Sequence, residues 1–268
     1  MIGCTVTDVP TPHPGRPRYR VVADELRRRI MSGVIPPGSV LPSETSLMAD
    51  FEVSRGTVRE AIALLRAEGL AVTEMGRGTY ARPVMPVRRL GSDRYRRELE
   101  QLQGDQPPET SFTRDQGIEW SAYRLDREFR EVPASAATAE LFGLDAGVPL
   151  LERRFVFHAR GVAQQMSTSS YPLDLVAGTP VADPANEPWP GGNIAQLHSL
   201  GLTVTAIRER VRTRMPIRDE VDALRIPGGV PVLTLTRQTY VDDRVVEVAT
   251  DIVIPGDRVE LDYLIDLT

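Results

Sequence analysis

The chain has 268 residues, 41% of them hydrophobic and 26% charged, an ordinary globular composition that excludes a fibrous, collagen-like or wholly disordered protein. That length is more than one core comfortably fills, so two domains are expected. The net charge of −5 conceals an asymmetry: residues 16 to 90 carry 13 Arg against 8 acidic residues, and residues 91 to 268 carry 19 Arg against 28, with Asp8 completing the sum. A basic block joined to an acidic body is expected where one domain meets a polyanion and the other does not.

Residues 1 to 17, "MIGCTVTDVPTPHPGRP", hold four prolines and no periodicity, so a disordered leader is expected. The stretch lacks the basic start and apolar middle of a signal peptide, and no apolar run in the chain reaches the eighteen or so residues of a spanning helix. A cytoplasmic protein with no membrane partner follows. Cys4 is the single cysteine, which leaves no disulfide framework and no thiolate metal site.

From Tyr19 to Met31 the pattern changes, with Val22, Leu26 and Ile30 recurring every four residues and Arg27, Arg28 and Arg29 between them, as in an amphipathic helix. Gly33 ends it, and Pro36, Pro37 and Pro42 stiffen the turn that follows. Ser43 caps a short second helix, Glu44 to Phe51, with Leu47 and Met48 facing inward. Ser54 caps a third, with Val53 and Val58 at the spacing of a hydrophobic staple. The short connection forces a sharp angle, which makes a helix-turn-helix. On the third helix Val58, Ala61, Ile62 and Leu65 form an apolar arc, while Arg55, Arg59 and Arg66 fall within about 40° of one another. "LAVTEMGRGTYAR" then reads as two short strands around a Gly76-Arg77-Gly78 tip, a wing.

An arginine-rich helix face is commonly a solvated surface. Here it shares one block with a capped tight turn, a basic first helix and a glycine-flanked wing, and that agreement favours a DNA reader. Arg can donate two hydrogen bonds to guanine in the major groove, and recognition helices present their first turns to base edges. Arg55 and Arg59 are placed for this, with Ser54, Gly56 and Thr57 close to backbone or bases. Arg66, further along, contacts either nothing or the protein itself.

Residues 84 to 110 are charged and turn-rich with a short helical centre and are read as a linker. Beyond it, "GVPLLERRFVFHARGVAQQMSTSSYP" and "GVPVLTLTRQTYVDDRVVEVATDIVIP" resemble each other at an offset of 82 residues, each preceded by a short helical run. This indicates an internal duplication of helix, Gly-Val-Pro turn and long hairpin. "NIAQLHSLGLTVTAIRERVRTRMP" lies between the halves as helix then strand, and "RVELDYLID" supplies a closing strand. The fold class is therefore α+β, with a mostly antiparallel sheet and packed helices.

"LPSETSLMADFEVSRGTVREAIALLRAEGL" with the wing "GRGT" resembles the winged helix-turn-helix of the GntR transcription-factor family, over residues 18 to 83. The pattern "GVPLLERRFVF…RGVAQQMSTSSYPLDL…VEVATDIVIPGDR" resembles the UTRA effector domain of that family's HutC branch, assigned to residues 111 to 268. The resemblance implies a chorismate-lyase-like effector domain without catalysis, a homodimer, operator DNA as partner and a small-molecule effector. It implies DNA contacts from Ser54, Arg55, Arg59 and the wing Gly76, Arg77, Gly78 and Thr79, joined by Ser43 and Thr45 of the second helix. Thr45 stands where the family usually has Arg, so a contact from that helix is shortened or lost.

In phosphosugar-binding relatives the effector site carries an Arg-x-Arg strand, a glutamate and a Ser-x-Tyr. Here Phe155 and Phe157, Ser167, and Gly192 with Ile194 take those places. Without paired guanidinium groups a phosphate loses its bidentate partners, so a sugar phosphate is not expected. Arg154, Gln165, Ser167, Ser169 and Glu247 are the remaining candidates to orient an effector. Strand alternation allows them to face either a pocket or solvent, and of Arg153 and Arg154 only one can line a pocket. His13, His158 and His198 are scattered, with no carboxylates or cysteines at ligand spacing, so no catalytic group, metal or cofactor is indicated. A chorismate-lyase-type enzyme and a constitutive DNA binder without effector are the competing classes.

Overall fold

The computed structural model describes residues 16–74, 78–82, 87–90, 92–102 and 109–263. The chain divides into two compact units, Met1–Met85 with Pro227–Val230, and Pro86–Ile226 with Pro231–Thr268. The expected leader lies outside the described residues except for Arg16 and Pro17, as do Gly76 and Arg77 at the wing tip.

The first unit is built by α1 (Arg18–Met31), α2 (Glu44–Phe51) and α3 (Arg55–Ala67), followed by the wing strands β1 (Ala71–Glu74) and β2 (Gly78–Ala81). Val22 and Leu26 of α1, Leu47 of α2 and Val58, Ala61 and Leu65 of α3 are buried together, with Val53 packed beside them. These are the four-residue repeats and the staple of the sequence. Ser43 Oγ accepts the Ser46 N–H at 3.1 Å, and Ser54 Oγ accepts the Thr57 N–H at 3.3 Å. Each cap satisfies a backbone donor that a helix start would otherwise leave open. Residues of the Pro-rich turn also bond the wing: Leu41 N–H donates to Thr79 O at 2.8 Å and Ala81 N–H to Ser39 O at 2.8 Å. The arginines of α1 are engaged within the unit, Arg27 by Glu68 and Asp24, and Arg28 and Arg29 by the buried Glu25.

The second unit is centred on a six-stranded antiparallel sheet in the order β4-β5-β6-β9-β8-β7. Its first half is β4 (Tyr123–Pro133), α6 (Ala136–Phe142), β5 (Pro149–Ala159) and β6 (Val162–Pro172). The second is β7 (Ala206–Arg214), α9 (Arg218–Leu224), β8 (Val232–Val241) and β9 (Arg244–Pro255). The duplication is larger than the sequence comparison suggests: the strand following "NIAQLHSLGL" is β7, the counterpart of β4, and not an insertion between halves. The two copies meet at β6 and β9, where Ser169 pairs with Ala249. The helix of each copy packs on the central strand of the other, α6 on β9 and α9 on β6. Neither copy could bury its own apolar surface alone.

Alternate residues serve opposite faces of this sheet. Leu150, Val245 and Val248 pack under α6, while Leu151, Tyr171 and Val246 face α7 (Leu173–Val176) and α8 (Gly192–Ser199). Part of the stretch expected to be a linker is folded into this unit. β3 (Val87–Leu90) pairs in parallel with β10 (Val259–Asp262), and α4 (Ser92–Gln101) packs on α8 and on α5 (Ser111–Gln116). The high charge of α4 hid its role, because its few apolar residues, Tyr95 and Leu99, are the ones that reach the core. The expected closing strand thus pairs with β3 in a separate two-stranded sheet and does not extend the main one.

Candidate DNA-binding face and effector cavity

Apolar residues of α3 face the core, which turns Arg55, Arg59 and Arg66 outward. The side chains of Arg55 and Arg59 are 58% and 65% exposed, and both reach Glu44 at the start of α2: Arg59 Nε to Oε1 at 3.0 Å, Arg55 Nε to Oε2 at 3.6 Å. An exposed pair of this kind contributes about 1 kcal/mol at most, so it orients the two guanidinium groups without locking them. Ser43, Thr45, Ser54 and Gly56 are exposed beside them, and Thr57 is half-buried. The hydroxyls of Ser54 and Thr57 lie 3.0 Å apart, so both serve the cap of α3. On the wing Gly78 is exposed, and the Thr79 hydroxyl is 3.1 Å from that of Thr73 across the hairpin.

Among the described residues no close contact requires a glycine at position 56. A Cβ there would meet only Ser54 Oγ, at 3.7 Å, in ordinary contact.

In the second unit a cavity of about 110 Å³ lies between the sheet and the helices α4, α5 and α8. Gln165, Ser167 and Ser169 line it, and the aromatic wall includes Phe112, Tyr123, Phe155, Phe157 and Trp189. Phe112 is 5.2 Å from Phe157, and Tyr123 stacks on Phe157 at 6.4 Å between ring centroids. Burial raises the Tyr123 hydroxyl far above its ordinary pKa, with Glu187 adding to the shift, so it is a neutral donor.

Two of the expected effector residues are placed differently. Arg154 is exposed on the opposite face of β5, and it is Arg153 that enters the cavity. Its Nη1 donates to Gln196 Oε1 at 3.0 Å and its Nη2 to the Tyr171 hydroxyl at 2.9 Å, with Glu187 at 3.4 Å. The parity of β5 could have shown this, since Phe155 and Phe157 mark the inward face and Arg153 shares their register. Glu247 is fully buried beneath the cavity lining: it accepts from Ser169 at 3.0 Å, Thr239 at 2.6 Å and Arg237 at 2.8 Å. Burial alone would raise its pKa, but Arg237 and the two hydroxyls outweigh it, and the carboxyl is held below its ordinary value. Glu247 therefore positions Arg237 and Ser169, both of which line the cavity.

Sequence reasoning missed Glu98, Arg94 and Tyr95 of α4, which line the same cavity, because they fall in the stretch expected to be a linker. It also missed Glu187 and Gln196, which come from the irregular segment before α8 and from α8 itself. Among the described residues no cluster of His, Cys, Asp or Glu could hold a metal ion, and no helix is long and apolar enough to cross a membrane.

A capped helix-turn-helix with a wing, followed by a helix-covered antiparallel sheet that encloses a polar and aromatic cavity, defines a winged-helix regulator with an effector domain. Residues 18–81 match the profile of bacterial regulatory proteins of the gntR family, and residues 126–260 match the UTRA domain. An HTH-type transcriptional regulator of Streptomyces coelicolor is 32% identical over 241 residues, covering 88% of each chain. The repressor NagR of Bacillus subtilis is 24% identical over 254 residues, 93% of this chain and 95% of that one. A crystal structure assigned to the GntR-family regulators has a TM-score of 0.63 at 30% identity, covering 94% of this chain and 99% of its own. The chain belongs to the GntR family of transcriptional regulators, in the HutC-like arrangement of helix-turn-helix followed by UTRA domain, and is a regulator and not an enzyme.

Proposed function

We propose that the protein is a cytoplasmic, homodimeric repressor that binds a pseudo-palindromic operator through α3 and the wing and is released by a small molecule in the UTRA cavity. The observation that carries this reading is the outward pair Arg55 and Arg59 flanking Gly56, where a Cβ would meet no described atom closer than Ser54 Oγ at 3.7 Å. Arg55, Gly56 and Arg59 would meet base edges, while Ser43, Thr45, Ser54, Thr57 and the wing residues Gly76 to Thr79 would meet or approach the backbone. In a two-fold dimer the recognition helices would lie about one helical turn, roughly 34 Å, or a multiple apart. Two full-length relatives carry repressor names, NagR of Bacillus subtilis and PhnF of Mycolicibacterium smegmatis, which supports the negative sign.

A buried cavity lined by Arg153, Gln165, Ser167 and Ser169 favours an effector-controlled protein over a constitutive DNA binder. α4, the first helix of the second unit, supplies Arg94, Tyr95 and Glu98 to that cavity, so occupancy bears directly on the part of this unit that follows the DNA-binding unit in the chain. Coupling between such sites is commonly about 1 to 3 kcal/mol, or roughly 5- to 150-fold in operator affinity. The test is to select the operator from a random duplex pool and to screen metabolites for release of the full chain from it. Release that disappears when Ser167→Phe fills the cavity supports the reading. A metabolite that releases both proteins equally contradicts it.

A further inference from the structure

We infer that the effector cavity is built for a monocyclic organic cation, an amine on a flat apolar ring, and that Glu98 selects it; this rests on the cavity being the effector site. Among the described residues each cation that lines the cavity, Arg94, Arg153 and Arg237, already has a carboxylate of its own. Arg94 pairs with Asp115 at 2.7 Å, Arg153 with Glu187 at 3.4 Å and Arg237 with Glu247 at 2.8 Å. Among the described residues no guanidinium charge is left over to neutralise a phosphate or carboxylate brought in by a ligand, and the donors still open are Arg94 Nε and Arg153 Nε, each buried without an acceptor.

Glu98 is the exception of opposite sign. It is 7% exposed and lines the cavity, and its bonds are to the backbone N–H of Ser111, at 2.9 Å, and to the Ser111 hydroxyl. Both fall on Oε1, and among the described residues no cation pairs with this carboxylate. A buried charge met only by neutral donors is costly, and a ligand ammonium group would compensate it with a charge-assisted hydrogen bond. The N-terminal end of α8 would also favour an anion, and Glu98 already stands there: a Cβ on Gly192 would lie 3.7 Å from its Oε1. The chain thus supplies its own anion at that position, and a second would be repelled.

The remaining walls fit the rest of such a ligand. Phe112 follows Ser111 directly and packs on Tyr123 at 5.4 Å and on Phe157 at 5.2 Å, so ring faces lie close in the chain to the carboxylate. Aromatic faces attract cations as well as apolar rings. About 110 Å³ suits one ring with a short arm and is smaller than the cavities that hold drug-sized molecules.

The test is calorimetric titration of the full chain with 2-phenylethylamine, 2-phenylethanol, phenylacetate and phenyl phosphate. The expected result is that the amine binds about tenfold or more tightly than the alcohol, and that neither anion binds measurably. Glu98→Gln, which keeps an oxygen for Ser111, should bring the amine down to the level of the alcohol and admit phenylacetate. Tighter binding of either anion than of the amine to the unaltered chain overturns the assignment, as does an amine preference that survives Glu98→Gln. Ser167→Phe and, as a second filling variant, Gln165→Trp separate the two layers of the argument. If they abolish binding of an anionic probe, the cavity stands and only the ligand class falls. If binding ignores both variants, or no probe binds, the cavity reading falls with it.

Discussion

The two units use the same pairing of arginine with glutamate to opposite ends. On the first, Glu44 holds Arg55 and Arg59 in an open arrangement whose members are 35%, 58% and 65% exposed. In the second, Arg237 and Glu247 are 17% and 0% exposed and are reinforced by Thr239 and Ser169. Water screens the first pair, so under the proposed function it would be readily exchanged for a DNA phosphate or a base. The second is largely shielded from solvent, its carboxylate wholly so, and the network fixes the cavity floor. Burial, more than residue type, decides whether such a pair is a recognition device or a structural one.

The largest contrast is expected from removing one carboxylate on each side. Glu247→Ala leaves Arg237 buried without its partner and should cost about 3 to 5 kcal/mol in denaturant unfolding of the second unit. A loss of less than about 1 kcal/mol would make the pair equivalent to a surface one. Arg59→Ala should leave folding unchanged and cost about 1 to 3 kcal/mol of binding to the selected operator, with a smaller loss on random duplex. Equal losses on both would make Arg59 a phosphate contact only.

Acid should weaken the second unit through this network and through a separate pair, Arg214 with Glu220. The Glu247 carboxyl is held below its ordinary value of 4.5 by Arg237 against the cost of burial, and Glu220 is held below it chiefly by its hydrogen bonds from Arg214. Their contribution is complete above about 4.5 and is lost as pH falls through the lower folded-state values. Melting temperature should therefore drop between pH 5 and lower pH more steeply in the unaltered chain than in Glu247→Gln; parallel curves would show that this carboxyl is not depressed. Ser54→Ala should destabilise α3 by about 1 kcal/mol through loss of its cap, measurable by amide exchange in the first turn. The smallest effect is expected from Glu44→Gln: less than about 1 kcal/mol in stability, with a few-fold gain in DNA affinity because a carboxylate next to the phosphates is gone. A loss of affinity would instead make Glu44 necessary for orienting the arginines.

How much could be read from residues alone also divides along this line. The helix-turn-helix rests on local signals, namely the Ser43 and Ser54 caps, the Val53–Val58 staple and the four-residue repeat of α1, and the structure places each of them as expected. The duplication predicted two hairpins, and the order β4-β5-β6-β9-β8-β7 contains both. The cavity was harder because it gathers side chains from α4, α5, β4 to β6, the segment before α8 and the second copy of the repeat. No sequence window contains it. Arg154 was chosen over Arg153 for want of the strand register, and Glu98 was overlooked because a charged helix after a winged domain looks like a connector. Buried polar residues leave a weak pattern, since their partners are distant in the chain.

Binding of the full chain to duplexes selected from a random pool, followed by fluorescence anisotropy across a salt series, bears most directly on the α3 face. The account predicts an enriched pseudo-palindrome, affinity that falls steeply with salt, and loss of the preference over random duplex in Arg55→Ala and Arg59→Ala. No enrichment, or an unchanged preference in both variants, would contradict it.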